Sequence, residues 1–470
     1  MKHIFFVITL VVCAAASTLA PAQTPTACEC EQNFDAMITK LEANYIGYHL
    51  TKDAIASNYA ARKQKYKTVA QAAPIAECAK ILQEFLQFFE DGHLFVSEYP
   101  KFPDADLQKY KLEITAKKID PQTVQPGTSA PIEGYWTDGT SVFAIVRNTS
   151  IYAPYEFVAV IINAPDKNKI GEIKFAVRLS SSPSNALWEG VYYTNAYAPR
   201  YVSVTPYKDN TLLSIWGGIL WGRLPDKNAT LFKPEQPTVR RLDAQTMLLT
   251  VPSFLIDKAD FDKVLLGNLA ELTSAKYLVI DIRGNAGGNG IYLDLLRAYY
   301  EKPAESKRGW AVSSEDNIAY FAKFTNLLGT DPYSPVVADM KSAKGAVVKG
   351  PAFKKLELEP MKTSIEKVVI LTDRGNKSAA ETFVLHSKAV STKVLTMGEN
   401  TGGVVDYNSI NMVKLLCDKH GIQFGYPTST LHDKIPQEGY NKTGIAPDVR
   451  IDAAVKDKIA FVMEYLKTHK

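Results

Sequence analysis

The run Lys276-Tyr-Leu-Val-Ile-Asp281-Ile-Arg283-Gly284-Asn285-Ala-Gly287-Gly288 constrains this chain more than any other. Leu278, Val279 and Ile280 are apolar without alternation, the pattern of a strand covered on both faces. Gly284, Gly287 and Gly288 then permit backbone angles that a side chain forbids. A turn of this kind can aim peptide N–H groups into one concavity, which suits a developing negative charge. The plain alternative is a tight strand-to-helix turn with no chemistry. The same design returns at Val368-Val-Ile-Leu-Thr372, followed by Asp373-Arg-Gly375-Asn376 and the helix start Ser378-Ala-Ala-Glu381. A serine at such a turn presents its hydroxyl beside a helix N-terminus, whose dipole stabilises an oxyanion. Ser followed three residues later by Glu is equally a helix capping box.

Further segments belong with these two. Gly398-Glu399-Asn-Thr401-Gly402-Gly403 is a Gly-Glu-x-Thr-x-Gly turn, and Gly444-Ile445-Ala-Pro447-Asp448 is a Gly-Ile-x-Pro-Asp motif. Asp91-Gly92-His93 follows an N-terminal helical pattern. In this order and spacing the set resembles the tail-specific or C-terminal processing serine peptidase family, including the tricorn core. The resemblance runs from about Val239 to Asp452. It implies a crotonase-like α/β core, as in Clp-type peptidases, with Ser378 as nucleophile. The oxyanion donors it implies are the N–H of Gly287 or Gly288 and the N–H of Ala379. Many members carry a PDZ module, whose glycine-rich carboxylate-binding loop is not found here.

The chain departs from the family at the base. The processing-peptidase branch uses a lysine downstream of the nucleophile, where this chain reads Thr401-Gly402-Gly403-Val404. The tricorn-like branch uses an upstream histidine instead, which implies His93 among the seven histidines. A histidine suits the role because its ordinary pKa lies near neutrality. The same branch supplies a glutamate before the Gly-Ile-x-Pro-Asp motif, which points to Glu438 as the residue orienting the imidazole. Other readings are a helix cap for His93 and a surface position for Glu438. Glu399 is expected to brace its own turn.

Residues 1–22 read as a secretory signal peptide: a basic start at Lys2 and His3, an apolar segment Ile4 to Ala16, and Ala20-Pro-Ala22 for cleavage. The apolar segment is short for a membrane span, no later segment is apolar enough, and an exported chain is expected. A net charge of +4 without a dense basic stretch gives nucleic acid nothing to bind. Cys28 and Cys30 lie just before one predicted helix, and Cys78 lies in the next helical region. In an oxidising compartment a bridge from Cys78 to Cys28 or Cys30 is expected, with Cys417 unpaired. A Cys-x-Cys metal site has no matching His/Cys pair nearby, so no metal or organic cofactor is expected.

The expected fold is multidomain: the signal peptide (1–22), an N-terminal helical segment (23–100), an antiparallel β-barrel or sandwich (101–240) and an α/β core (241–470). In the second segment Phe34–Tyr45 and Ile75–Phe89 carry apolar residues at helical spacing. In the β module candidate strands fall at 141–148, 156–163, 172–180, 186–194, 201–209 and 211–218, with a hairpin turn at Asp209-Asn210. Trp136, Trp188, Trp216 and Trp221 lie here, as core or as a ligand groove. The module is expected to present or exclude substrate and to contribute no catalytic group. In the core, strands are expected at 247–251, 276–283, 367–372 and 393–398, with helices at 260–274, 291–300, 378–390 and 453–468. The leading reading is an exported serine peptidase acting on polypeptide. A non-catalytic ligand-binding protein on the same core, like the family's retinoid-binding relatives, and an esterase are the alternatives.

Overall fold

The computed structural model describes residues 29–149, 151–180, 187–215, 219–325, 333–352, 355–417 and 419–469. The expected signal peptide, Cys28 and Trp216 lie outside the described residues.

Three helices, Cys30–Asn44, Ile46–Ala72 and Cys78–Leu86, open the fold. Phe34, Met37, Ile38 and Leu41 recur at spacings of three and four and are buried against Leu82 and Phe85. A disulfide joins Cys30 to Cys78 with the Cα atoms 5.3 Å apart. Cys417 was expected to be unpaired but is disulfide-bonded, its partner lying outside the described residues. Its loop docks on the first helix, where Asn33 Oδ1 accepts the N–H of Leu416 and of Cys417 at 3.0 and 3.2 Å. That contact, between positions far apart in sequence, leaves no local signal.

After Asp91-Gly-His93 the strand Phe95–Glu98 joins an antiparallel sheet along Ile422–Thr430. The strands Tyr407–Lys414 and Trp310–Val312 also pair with Ile422–Thr430, and Val347–Lys349 lies beyond the latter. A helix, Asp104–Ala116, then occupies part of the region expected to be antiparallel β. Asp104 and Asp106 in its first turn favour the N-terminal dipole, and Ile114 is its buried residue.

Residues 134–224 form a closed eight-stranded barrel in which each strand is antiparallel to the next. Gly134–Thr137 closes it on Ile219–Leu224. Alternate residues fill the interior: Phe143 and Ile145, Phe157 and Ala159, Phe175 and Val177, Val202 and Val204. Trp136, Trp188 and Trp221 are core, and Trp221 stacks on Phe143 with ring centroids 3.9 Å apart. These tryptophans line no groove.

The remaining sheet has the order Thr238–Arg241, Thr246–Thr250, Tyr277–Asp281, Lys367–Thr372, Val394–Gly398 and Val449–Arg450. All neighbours but the first pair are parallel. Thr238–Arg241 therefore belongs to the core sheet. Leu278 and Ile280 pack into one apolar cluster and Val279 into another, so the strand is covered on both faces. Helices Lys258–Gly267, Leu269–Ser274 and Ala379–Val390 cover one face, and Lys458–Thr468 the other. The helix expected at 291–300 contracts to Leu293–Leu296.

Candidate active site

The strands Tyr277–Asp281 and Lys367–Thr372 lie side by side with Asp281 opposite Leu371, so their turns leave the sheet together. Two short polar side chains stitch these turns. Asp373 Oδ1 accepts the N–H of Gly284 at 2.8 Å and of Gly375 at 2.9 Å. Asn376 Oδ1 accepts Asp373 N–H at 2.8 Å, and its Nδ2 donates to the Ile282 carbonyl. Burial pushes Asp373 up to about 6, against the N–H groups that it accepts and the nearby Arg283.

This scaffold holds Ser378 at φ 53°, ψ −121°, a region costing of order 1–3 kcal/mol for a residue with a Cβ. Its N–H donates to the Val404 carbonyl at 3.1 Å and to Glu381 Oε2 at 3.2 Å. Glu381 is fully buried. Its carboxylate also accepts Thr401 Oγ1 (2.5 Å), Gly403 N–H (2.9 Å) and Val404 N–H (2.7 Å). Burial raises its pKa, while these donors act to lower it. Glu381 thus braces the loop opposite the serine as well as its own helix end. The Gly-Ile-x-Pro-Asp motif fixes the same loop from behind, since Ile445 N–H donates to Thr401 Oγ1 at 2.7 Å. Glu399 N–H donates to the Thr372 carbonyl at 3.0 Å, and its own carbonyl accepts the Thr372 hydroxyl at 2.8 Å.

Gly287 packs directly on the serine. A Cβ there would stand 2.9 Å from Ser378 Cβ and 2.7 Å from the Lys377 carbonyl oxygen. Its N–H is committed to Asn285 Oδ1 at 2.8 Å. The N–H groups of Gly288 and Ala379 have no acceptor among the described residues. Of the three expected donors, two are therefore open and one is used internally.

His93 is 8 % exposed, at the end of the Asp91-Gly-His turn. Its Nδ1 lies 2.5 Å from the Tyr407 carbonyl oxygen. A carbonyl only accepts, so Nδ1 carries the proton and Nε2 keeps its lone pair. Burial, reinforced by the Lys377 ammonium, lowers the imidazole to about 4, against the Tyr407 bond. A Cβ on Gly92 would meet the Val404 side chain at 2.8 Å. The segment Val404–Tyr407 thus grips both elements, accepting the N–H of Ser378 at one end and the imidazole of His93 at the other.

Glu438 does not join them. Its carboxylate pairs with Lys434 at 2.8 Å and its side chain is 61 % exposed. The place expected for it on Nδ1 is taken by a backbone carbonyl, because the Tyr407 strand crosses there. His386 faces Tyr292 instead, at 3.2 Å.

The barrel reaches the site. Its hairpin between Pro199–Tyr207 and Leu212–Ile215 carries positive φ at Lys208, Asp209 and Asn210. Tyr207 OH lies 3.1 Å from Lys377 Nζ, Lys208 N–H donates to Asp373, Lys208 Nζ is 3.2 Å from Asp281, and Asp209 is 2.8 Å from Arg283. Tyr207 favours the charged form of Lys377, whose pKa stays above its ordinary value despite burial. A cleft of about 700 Å³ opens here, lined by Gly92, Leu94, Tyr207, Lys377, Gly403 and Val404. Asp373 and Asn376 were legible as turn residues, but backbone acceptors and the barrel's approach leave no motif.

Residues 245–451 match the family described as Peptidase family S41. No curated protein matches the chain. Among solved structures it is similar to mature CPAF complexed with lactacystin, at 11 % identity and a TM-score of 0.46 over 90 % of this chain and 94 % of that one. The photosystem II D1 C-terminal processing protease gives 13 %, 0.36, 90 % and 93 % on the same measures. A putative peptidase from Parabacteroides merdae gives 13 %, 0.40, 94 % and 96 %. The matched segment holds both strand-and-turn elements, and over it the chain is similar to peptidase family S41, which supports a serine peptidase, a hydrolase.

Proposed function

We propose that Ser378 is the nucleophile and His93 the general base of a peptidase acting on polypeptide. The observation that carries this reading is the double grip of Val404–Tyr407, which ties the serine's turn and the imidazole to one segment. Nε2 takes the Ser378 hydroxyl proton as Oγ attacks the scissile carbonyl carbon. The C=O electron pair moves onto oxygen, and the oxyanion is met by the N–H groups of Gly288 and Ala379. Gly287 serves by its lack of a side chain. The protonated His93 then gives its proton to the leaving amine, and water, activated by the same histidine, hydrolyses the acyl-enzyme. Lys377 is a poor rival base, since its raised pKa keeps it protonated. Lys388 is held by Asp448 at 2.5 Å.

The reading extends to the whole chain. The parallel sheet with helices on both faces supports a crotonase-like core. Residues 1–22 and the Cys30–Cys78 disulfide support export to an oxidising compartment. The β module is kept as a unit of folding that ends before Thr238, where the core sheet begins, with the barrel's hairpin entering the cleft.

Labelling with a serine-directed fluorophosphonate tests the reading. Adduct is expected on Ser378 in the wild-type protein and absent in Ser378→Ala, with slow labelling in His93→Ala. Full turnover in either folded variant overturns the assignment of that residue.

A further inference from the structure

Tyr45 interrupts what would otherwise be one long helix. Cys30–Asn44 ends and Ile46–Ala72 begins on either side of it, and Tyr45 alone is extended, at φ −77°, ψ 116°. No proline stands here to force a break. The ring is 1 % exposed, and its hydroxyl donates to Asp91 Oδ2 at 2.9 Å. Burial raises the Tyr45 pKa well above the usual phenol range, so the hydroxyl stays a donor. Asp91, 6 % exposed, accepts the backbone N–H of His93 on its other oxygen at 2.9 Å. Tyr407, whose carbonyl holds His93 Nδ1, sets its ring edge against Tyr45 at 5.7 Å. Tyr45, Asp91, His93 and Tyr407 form a closed buried circuit around the histidine. Asp91 touches the histidine's backbone and not its ring, so it cannot act as the acid of a triad.

Gly47 gives an independent sign that this circuit is built. It has ordinary helical geometry and no need of glycine for its backbone. A Cβ there would stand 2.2 Å from Tyr45 Oη and 2.3 Å from Cζ. The tyrosine folds back over Gly47 to reach Asp91, and only glycine leaves it the room.

We propose that Tyr45, Asp91 and Gly47 are positioning residues for the general base, acting through the circuit and making no contact with substrate. The proposal rests on the reading of His93 as that base. The N-terminal helices are then part of the catalytic apparatus, 46 positions before the histidine's own turn.

Kinetics and nitrogen-15 NMR of the His93 ring, in the full-length protein, test it. Tyr45→Phe removes one oxygen and is expected to lower kcat about tenfold, with KM within about twofold, as for a buried acceptor that loses its hydrogen bond. Gly47→Ala should do the same, although alanine is the better helix former. Wild-type His93 should show a protonated Nδ1 and a bare Nε2, and both variants should shift toward mixed tautomers. A double-mutant cycle of Tyr45→Phe with Asp91→Asn should be non-additive in kcat. Unchanged kcat and tautomer in folded Tyr45→Phe and Gly47→Ala, or strict additivity, overturns the proposal. Retained turnover in His93→Ala instead overturns the underlying reading, so the two failures are distinguishable. Should Asp91→Asn not fold, Tyr45→Phe and Gly47→Ala decide the matter.

Discussion

Two turns leave adjacent parallel strands of one sheet, yet they handle backbone strain in opposite ways. The turn after Tyr277–Asp281 assigns its positive φ to Gly284, Gly287 and Gly288, where such angles cost little. The turn after Lys367–Thr372 assigns one to Ser378, which has a Cβ. The first turn has only backbone groups to offer, and glycine lets them come close. The second must deliver a side chain, so it accepts a strained angle and holds it with Glu381 and the Val404 carbonyl. On the proposed reading, strain marks the position where a side chain does the chemistry.

The largest effect should come from the strained residue. Ser378→Ala is expected to lower kcat by at least ~10³-fold, with the melting temperature moving only a few degrees. Ser378→Gly should be just as inactive yet raise stability by up to about 1 kcal/mol, because glycine accepts φ 53° freely. Calorimetry of the two variants side by side measures this, and equal melting temperatures would remove the strain from the comparison. Next comes Gly287→Ala, where a side chain is forced into the other turn. Its Cβ would sit at φ 97° and within 2.9 Å of the serine's Cβ. A loss of about 100-fold in kcat/KM and about 2 kcal/mol in stability is expected from overpacking and strain together. Near-normal kinetics would mean that the glycine turn does not bound the reacting centre.

The third prediction concerns pH. Sequence alone puts the acid limb of kcat/KM near the ordinary histidine value of about 6.5. Burial moves His93 down to about 4, so the neutral base survives to lower pH and the limb should fall below 6.5. The same shift carries a stability cost. The unfolded histidine binds its proton below about 6.5 while the folded one resists to about 4, so its contribution is lost as pH falls through that window. A limb at or above 6.5 in a pH–rate profile would contradict the buried setting of the base. The smallest effect should come from the barrel. Tyr207→Phe removes a hydroxyl from Lys377, beside the serine, and should change kcat/KM by only a few-fold. A loss as large as that of Gly287→Ala would put the barrel on a par with the two turns.

Much of this was legible in the sequence. Unbroken apolar runs ending in glycine or Asx turns mark both core strands, and the serine before Ala379–Val390 follows from the same pattern. The Cys30–Cys78 pairing was one of two expected bridges. Other parts were illegible for physical reasons. Peptide carbonyls look alike in sequence, so Tyr407 could not be told from its neighbours as the partner of His93, and a nearby glutamate was expected instead. The barrel's first strand, Gly134–Thr137, is short, and its last, Ile219–Leu224, lies beyond the final expected run at 211–218. Helix Asp104–Ala116 buries little, so its apolar pattern is weak.

The bond between His93 and Tyr407 spans 314 positions of sequence, and its consequence lies in biosynthesis. A ribosome finishes the turn carrying His93 early and the serine's turn much later, but the carbonyl that fixes the imidazole comes later still. The strand Ile422–Thr430, on which both Phe95–Glu98 and Tyr407–Lys414 pair, comes last. Contacts this distant form only after most of the chain has been ordered. On the proposed reading, a growing chain therefore carries the hydroxyl without an oriented base, and the site is assembled only once the strands that follow Ser378 have been made and folded back.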